Sequence, residues 1–139
     1  GVEEGTTLTF VRKPIPTILT ASYDRTAKIW DSATGECKQT LSGHSDFVSS
    51  AVFSADESSV LTASSDRTAK IWDSATGECK QTLSGHSDVV FSAVFSDESS
   101  VLTTSSDRTA KIWDSATGEC KQTLIGHSDT VCSAVSSDG

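Results

Sequence analysis

The chain has 139 residues, 35% of them hydrophobic and 22% charged, the composition of one ordinary globular domain with a continuous core. Its 19 acidic and 11 basic residues leave a formal charge of −8, which repels phosphate backbones and anionic membrane surfaces and argues against nucleic acid as a partner. No apolar run approaches the roughly 20 residues of a membrane-spanning helix, so direct membrane insertion is not expected either.

From the N-terminus, residues 1–16, GVEEGTTLTFVRKPIP, lack the basic start and apolar stretch of a signal peptide. Within them TTLTFV at 6–11 stands where a first strand is expected, in degenerate form. TILTAS and a turn at Tyr23-Asp24-Arg25 come next, and then TAKIWDSATGECKQTL at 26–41. The same sixteen residues return unchanged at 68–83 and at 109–124. Periodicity on this scale decides the architecture before any local pattern does. Trp30, Trp72 and Trp113 recur at intervals of 42 and then 41 residues, because Ala55 of SADESS has no counterpart in SDESS at 96–100.

Within the second unit, FVSSAVFS, SVLTAS, TAKIWD and CKQTLS are short β-prone runs, separated by turn-forming residues in ADES, SDR, SATGE and GHSD. This predicts four strands to a unit. Gly35, Gly77 and Gly118 are placed to take the positive φ of a tight connection between the third and fourth strands. A helix starting at SATGE is rejected, since Ser84-Gly85 stops CKQTL too soon for a stable one. Apolar residues fall on both faces of AVF at 51–53 and VL at 60–61, as expected of sheets covered by neighbours on both sides. The units run approximately over 1–42, 43–84 and 85–125, with a spare first strand at 126–139.

Residues 43–83, with GHSD near the start, SSD before the third strand and IWD near the end, resemble the WD repeat, a unit of β-propellers; the likeness covers residues 17–136. The resemblance implies an all-β propeller segment of about three four-stranded antiparallel blades. It also implies a hydrogen-bonded structural network in each blade, formed by His44, Ser64, Asp66 and Trp72 in one and by His86, Ser105, Asp107 and Trp113 in the next. The first unit keeps Ser22, Asp24 and Trp30, but Val2 occupies the position of the histidine. Propellers close with four to eight blades, so three leave two faces bare. These are expected to be covered by further blades of a longer chain, to which the absence of methionine points, by further copies of this chain, or by other subunits.

Cys37, Cys79 and Cys120 sit at the same place in successive units, so a disulfide would have to join equivalent positions of neighbouring units. With no CxxC pair and no histidine in ligand spacing, no metal is expected. Four free thiols are expected instead, and with them a reducing intracellular compartment, the cytoplasm. The sequence contains no asparagine, which excludes N-linked glycosylation. His44, His86 and His127 recur in one context, whereas catalysis needs one distinctive environment; no catalytic residue and no cofactor are assigned. Asp31, Asp73 and Asp114 are expected to hold their own turns.

What remains is recognition of other proteins. Partner information is expected where the units differ: at Tyr23, Ser65 and Ser106, at Phe47, Val89 and Thr130, at Phe91 beside its counterparts Ser49 and Cys132, and at Ile125 beside Ser42 and Ser84. Neutral drift after duplication is the alternative account of these differences. The expected function is a non-enzymatic protein–protein interaction scaffold, with a permanent structural subunit of a large assembly as the alternative and an enzyme as a remote third.

Overall fold

The computed structural model describes residues 16–97 and 99–137. The expected first strand at 6–11, and Val2, lie outside the described residues. The first unit supplies β1 (Thr17–Ala21), β2 (Thr26–Asp31) and β3 (Cys37–Ser42). The second supplies β4 (Val48–Phe53), β5 (Ser59–Ser64), β6 (Thr68–Asp73) and β7 (Cys79–Ser84). The third supplies β8 (Val90–Phe95), β9 (Ser100–Ser105), β10 (Thr109–Asp114) and β11 (Cys120–Ile125). Among the described residues the strands pair in chain order, giving one three-stranded and two four-stranded sheets. All pairs are antiparallel, and the register repeats: Ile18, Val60 and Val101 lie opposite Trp30, Trp72 and Trp113. Among the described residues no helix is long and apolar enough to cross a membrane.

The sheets are blades stacked face to face, and the period of two along each strand decides which neighbour a side chain meets. Ala27, Ile29 and Leu41 of the first blade pack against Val48, Val60 and Trp72 of the second. Leu61, Ala63, Ala69, Ile71 and Leu83 of the second pack in turn against Val90, Val101 and Trp113 of the third. Trp72 and Trp113 therefore face the preceding blade, and Leu41 and Leu83 of the repeated CKQTL face the following one. β5 and β9 are buried along their whole length, which is why apolar residues fail to alternate there.

The turns behave as the sequence requires. Asp31, Asp73 and Asp114 each accept a hydrogen bond at Oδ1 from the backbone of Ala33, Ala75 and Ala116, at 2.8–2.9 Å. Gly35, Gly77 and Gly118 then turn the chain with φ of 78°. Cys37, Cys79, Cys120 and Cys132 are unbridged and exposed.

The spare first strand expected at 126–139 needs correction over its described part, since residues 126–137 form no strand. An innermost strand becomes one by pairing with the second strand of its own sheet, and no described residue supplies that partner. The segment nevertheless takes the corresponding place. Val131 packs on Leu102 and Ala110, and its N–H donates to Ser105 O at 3.1 Å, just as Val48 N–H donates to Ser22 O at 3.1 Å.

Candidate functional site

Antiparallel order within the blades gathers the connections at two ends. The turns β1–β2, β5–β6 and β9–β10 share one end with the connections β3–β4 and β7–β8. Backbone hydrogen bonds tie the two sets together, from Ser65 N–H to Phe47 O at 2.9 Å and from Ser106 N–H to Val89 O at 3.1 Å. Every residue expected from the sequence to carry partner information lies at this end.

A buried polar chain holds the end in place. In the second blade the His44 Nδ1–H points to Asp66 Oδ2 at 2.8 Å, and His44 Nε2 meets Thr62 Oγ1 at 2.6 Å. Thr62 Oγ1 also accepts from Trp72 Nε1–H at 2.9 Å. The third blade repeats this, with His86 to Asp107 at 2.8 Å, His86 to Thr103 at 2.7 Å and Trp113 to Thr103 at 2.8 Å. The hydroxyl joining histidine to indole therefore belongs to Thr62 and Thr103, and the expectation of Ser64 and Ser105 there is corrected. Ser64 Oγ serves the loop instead: it donates to Phe47 O at 2.7 Å and accepts from Asp66 N–H at 3.0 Å. Ser105 does the same with Val89 O and Asp107 N–H. Thr20, Thr62 and Thr103 recur at one position of the second strand, but Ser22, Ser64 and Ser105 recur two residues on, so recurrence marks both hydroxyls and selects neither.

The first blade has the same parts without a histidine among the described residues. Trp30 Nε1–H donates to Thr20 Oγ1 at 2.8 Å, and Asp24 N–H donates to Ser22 Oγ at 3.0 Å. His127, in the third GHSD, is exposed, and no described strand brings it a threonine and an aspartate.

The electrostatics follow from burial. Removal from water pushes the His44 and His86 imidazoles below their ordinary value of 6.5, against the opposing pull of Asp66 and Asp107. Burial acts to raise the two carboxyls, but hydrogen bonds from Thr68 and His44 outweigh it at Asp66, and those from Thr109 and His86 at Asp107. Both therefore stay ionised well below the usual carboxylate range. A neutral imidazole donating to a carboxylate and accepting from a threonine leaves no lone pair or proton free for a substrate. The arrangement positions backbone.

At the surface of this end, Tyr23 is 76% exposed and Phe47 42% exposed, and the two rings stack at 4.5 Å between centroids with 7° between planes. The pair bridges the first blade to the second. Phe91, also 42% exposed, is the extra residue of a bulge where β8 pairs with β9. Ser65, Val89, Ser106 and Thr130 are half-buried around the loops, and Ile125 is 81% exposed at the end of β11. The structure brings Tyr23 to Phe47; Ile125 stands two blades away on the last sheet and joins no such cluster.

A profile of the WD domain, G-beta repeat family matches residues 13–31, 35–73 and 77–114. The chain belongs to this family. The crystal structure of the WD40 beta propeller domain of Doa1 superposes with a TM-score of 0.72 at 34% identity, over 82% of this chain and 38% of that one. Nuclear distribution protein PAC1 of Mycosarcoma maydis is 42% identical over 43 residues, 31% of this chain and 10% of that protein. Dynein assembly factor with WD repeat domains 1 is 50% identical over 36 residues in Mus musculus and 53% in Danio rerio, in each case 26% of this chain and 9% of the relative. The chain thus spans about a tenth of the length of these curated relatives, and the matches amount to one WD repeat.

Proposed function

We propose that this WD-repeat chain is a non-enzymatic scaffold that receives other proteins on the loop end of its blades. The stacked Tyr23–Phe47 pair carries the reading: two large aromatic rings held face to face across a blade junction, Tyr23 largely exposed and Phe47 partly so. The first stands on a turn held by Ser22 and Asp24, the second on a loop held by Ser64. Aromatic anchors on a rigid support lose little entropy on binding, and such anchors dominate the energetics of protein interfaces. Phe91 and the half-buried Val89 extend the apolar area, while Ser65, Ser106 and Thr130 would form a polar rim. The relatives named for dynein assembly and nuclear distribution share one repeat with this chain. That repeat is blade construction, so their partners are not carried over.

Four exposed thiols support a reducing, intracellular setting. A permanent structural subunit is the second reading, favoured by the apolar side chains Ile18 and Ile125 at the outer blades, 51% and 81% exposed. Quantitative co-purification with the chain and with a Tyr23→Ala, Phe47→Ala double variant tests the proposal. The double variant should lose the partners that the chain enriches while keeping its far-ultraviolet circular dichroism. An unchanged partner set with the fold intact contradicts the loop-end reading.

A further inference from the structure

We propose that the two outer faces of the blade stack are halves of one interface, and that a second copy of this chain docks on them head to tail. That interface already exists twice within the chain. Between the first and second blades, Gln39 Nε2 donates to Ala75 O at 2.6 Å; between the second and third, Gln81 Nε2 donates to Ala116 O at 2.5 Å. The receiving turns are shaped for the glutamine: a Cβ on Gly77 or Gly118 would stand 2.7 Å from its Oε1. Further along the junction the fit runs the other way, since a Cβ on Gly43 or Gly85 would stand 3.1 Å from the ring of Trp72 or Trp113 in the following blade. Leu41 and Leu83, between these two contacts, are fully buried.

At the two ends of the stack the same parts stand open among the described residues. The last blade presents Gln122, which is exposed, Leu124, 43% exposed, and Gly126, whose Cβ position has nothing within 4 Å. The first blade presents the exposed Ala33 beside Gly35, whose Cβ position likewise has nothing within 4 Å. It also presents Ile18, 51% exposed where Val60 and Val101 are buried, and a half-buried Trp30 where Trp72 is 1% exposed. Val131 covers Leu102 and Ala110 but leaves Leu124 bare.

Gln122 is matched to the Ala33 carbonyl and the space at Gly35, Leu124 to Ile18, and Gly126 to Trp30. Each match has two filled precedents inside the chain. A partner of unrelated sequence would have to supply a carbonyl, a glycine and an indole in the same spacing; a second copy has them already. The contact joins different patches on the two partners, so it propagates head to tail and closes into a ring where its rotation allows. It involves the flat faces of the blades and does not use the Tyr23–Phe47 pair.

Light scattering across a dilution series of the 139-residue chain tests this. The chain should show masses above that of one copy, rising with concentration. Leu124→Glu alone and Ile18→Glu alone should each remain single, because each spoils one face. Mixed together they should form a one-to-one pair through the two faces left intact, which also shows that both variants are folded. Gln122→Ala, at an exposed side chain, should weaken association about tenfold, the size of one hydrogen bond, and keeps the test decisive where a glutamate variant misfolds. A chain that stays single at every concentration, a Leu124→Glu variant that associates like the parent, a mixture of folded variants that fails to pair, or a Gln122→Ala chain of unchanged affinity would overturn the proposal.

Discussion

Thr62 carries the junction of the second blade's buried polar chain, accepting from Trp72 while bonded to His44. Thr62→Val keeps the shape but leaves an imidazole nitrogen and an indole N–H buried without a partner. It should destabilise the chain by about 3 kcal/mol in urea unfolding. The matched change Thr20→Val should cost about 1 kcal/mol or less, because Thr20 is exposed and water can replace it at the half-buried Trp30. Equal losses would show that the second blade's polar chain is not sealed from solvent. The histidines predict a pH dependence at the same scale. Unfolded, they take up protons as pH falls through 6.5; folded, burial keeps them neutral to a lower pH. The unfolded state therefore binds more protons below about 6.5, and stability falls with pH from that point until the folded histidines protonate as well. Asp66 and Asp107, also depressed, add a second loss as pH falls below 3.8 toward their folded values. A urea midpoint that holds steady between pH 7 and pH 5 would contradict the buried neutral imidazoles.

At the scale of strands, one paired register position distinguishes the second blade from the third, where Ala63 stands in one and Thr104 in the other. Ser92 lies opposite Thr104, and the two hydroxyls are bonded at 2.8 Å. Ser50 lies opposite Ala63, and its Oγ is buried without a hydrogen-bond partner. Ser50→Ala removes that unsatisfied group and should raise stability by about 1 kcal/mol, whereas Ser92→Ala should lower it; the reverse order in paired urea titrations would refute the register argument. Leu83 and Leu124 close identical CKQTL segments, but only Leu83 has a blade beyond it. Leu83→Ala should cost about 3 kcal/mol and Leu124→Ala under about 1 kcal/mol in the unassociated chain. The strands themselves were legible: SVLTAS, TAKIWD and CKQTLS appear as β5, β6 and β7 because turn residues bound each one. The threonine of the polar chain was harder to choose. Thr62 and Ser64 share a face at a period of two, and the spacing alone cannot select between them. The pairing of Val60 with Trp72 brings the indole diagonally to Thr62, a fact of register rather than of composition. Tyr23 and Phe47 could each be picked out as places where the units differ, but their stacking needs two blades side by side. The segment after Gly126 reads as a strand by its likeness to 48–53, yet strand pairing depends on a neighbour that no local pattern provides.

For the molecule as a whole, stability is shared between adjacent blades, as in other repeat architectures where each unit leans on the next. The loop end is held by hydrogen bonds within each blade and by bonds such as Val48 N–H to Ser22 O between blades, while the flat faces are stabilised only where another blade covers them. Sequence and strand pairing are constant along the repeat, so neighbour contact is the variable that separates its copies. Amide hydrogen exchange of the three identical segments 37–41, 79–83 and 120–124 isolates it, because identical sequences share their intrinsic exchange chemistry. Measured on the Ile18→Glu chain, which keeps all three segments and lacks one docking face, exchange should be slow at 37–41 and 79–83 and fast at 120–124. Equal protection of the three segments would contradict the claim that these blades are held by their neighbours.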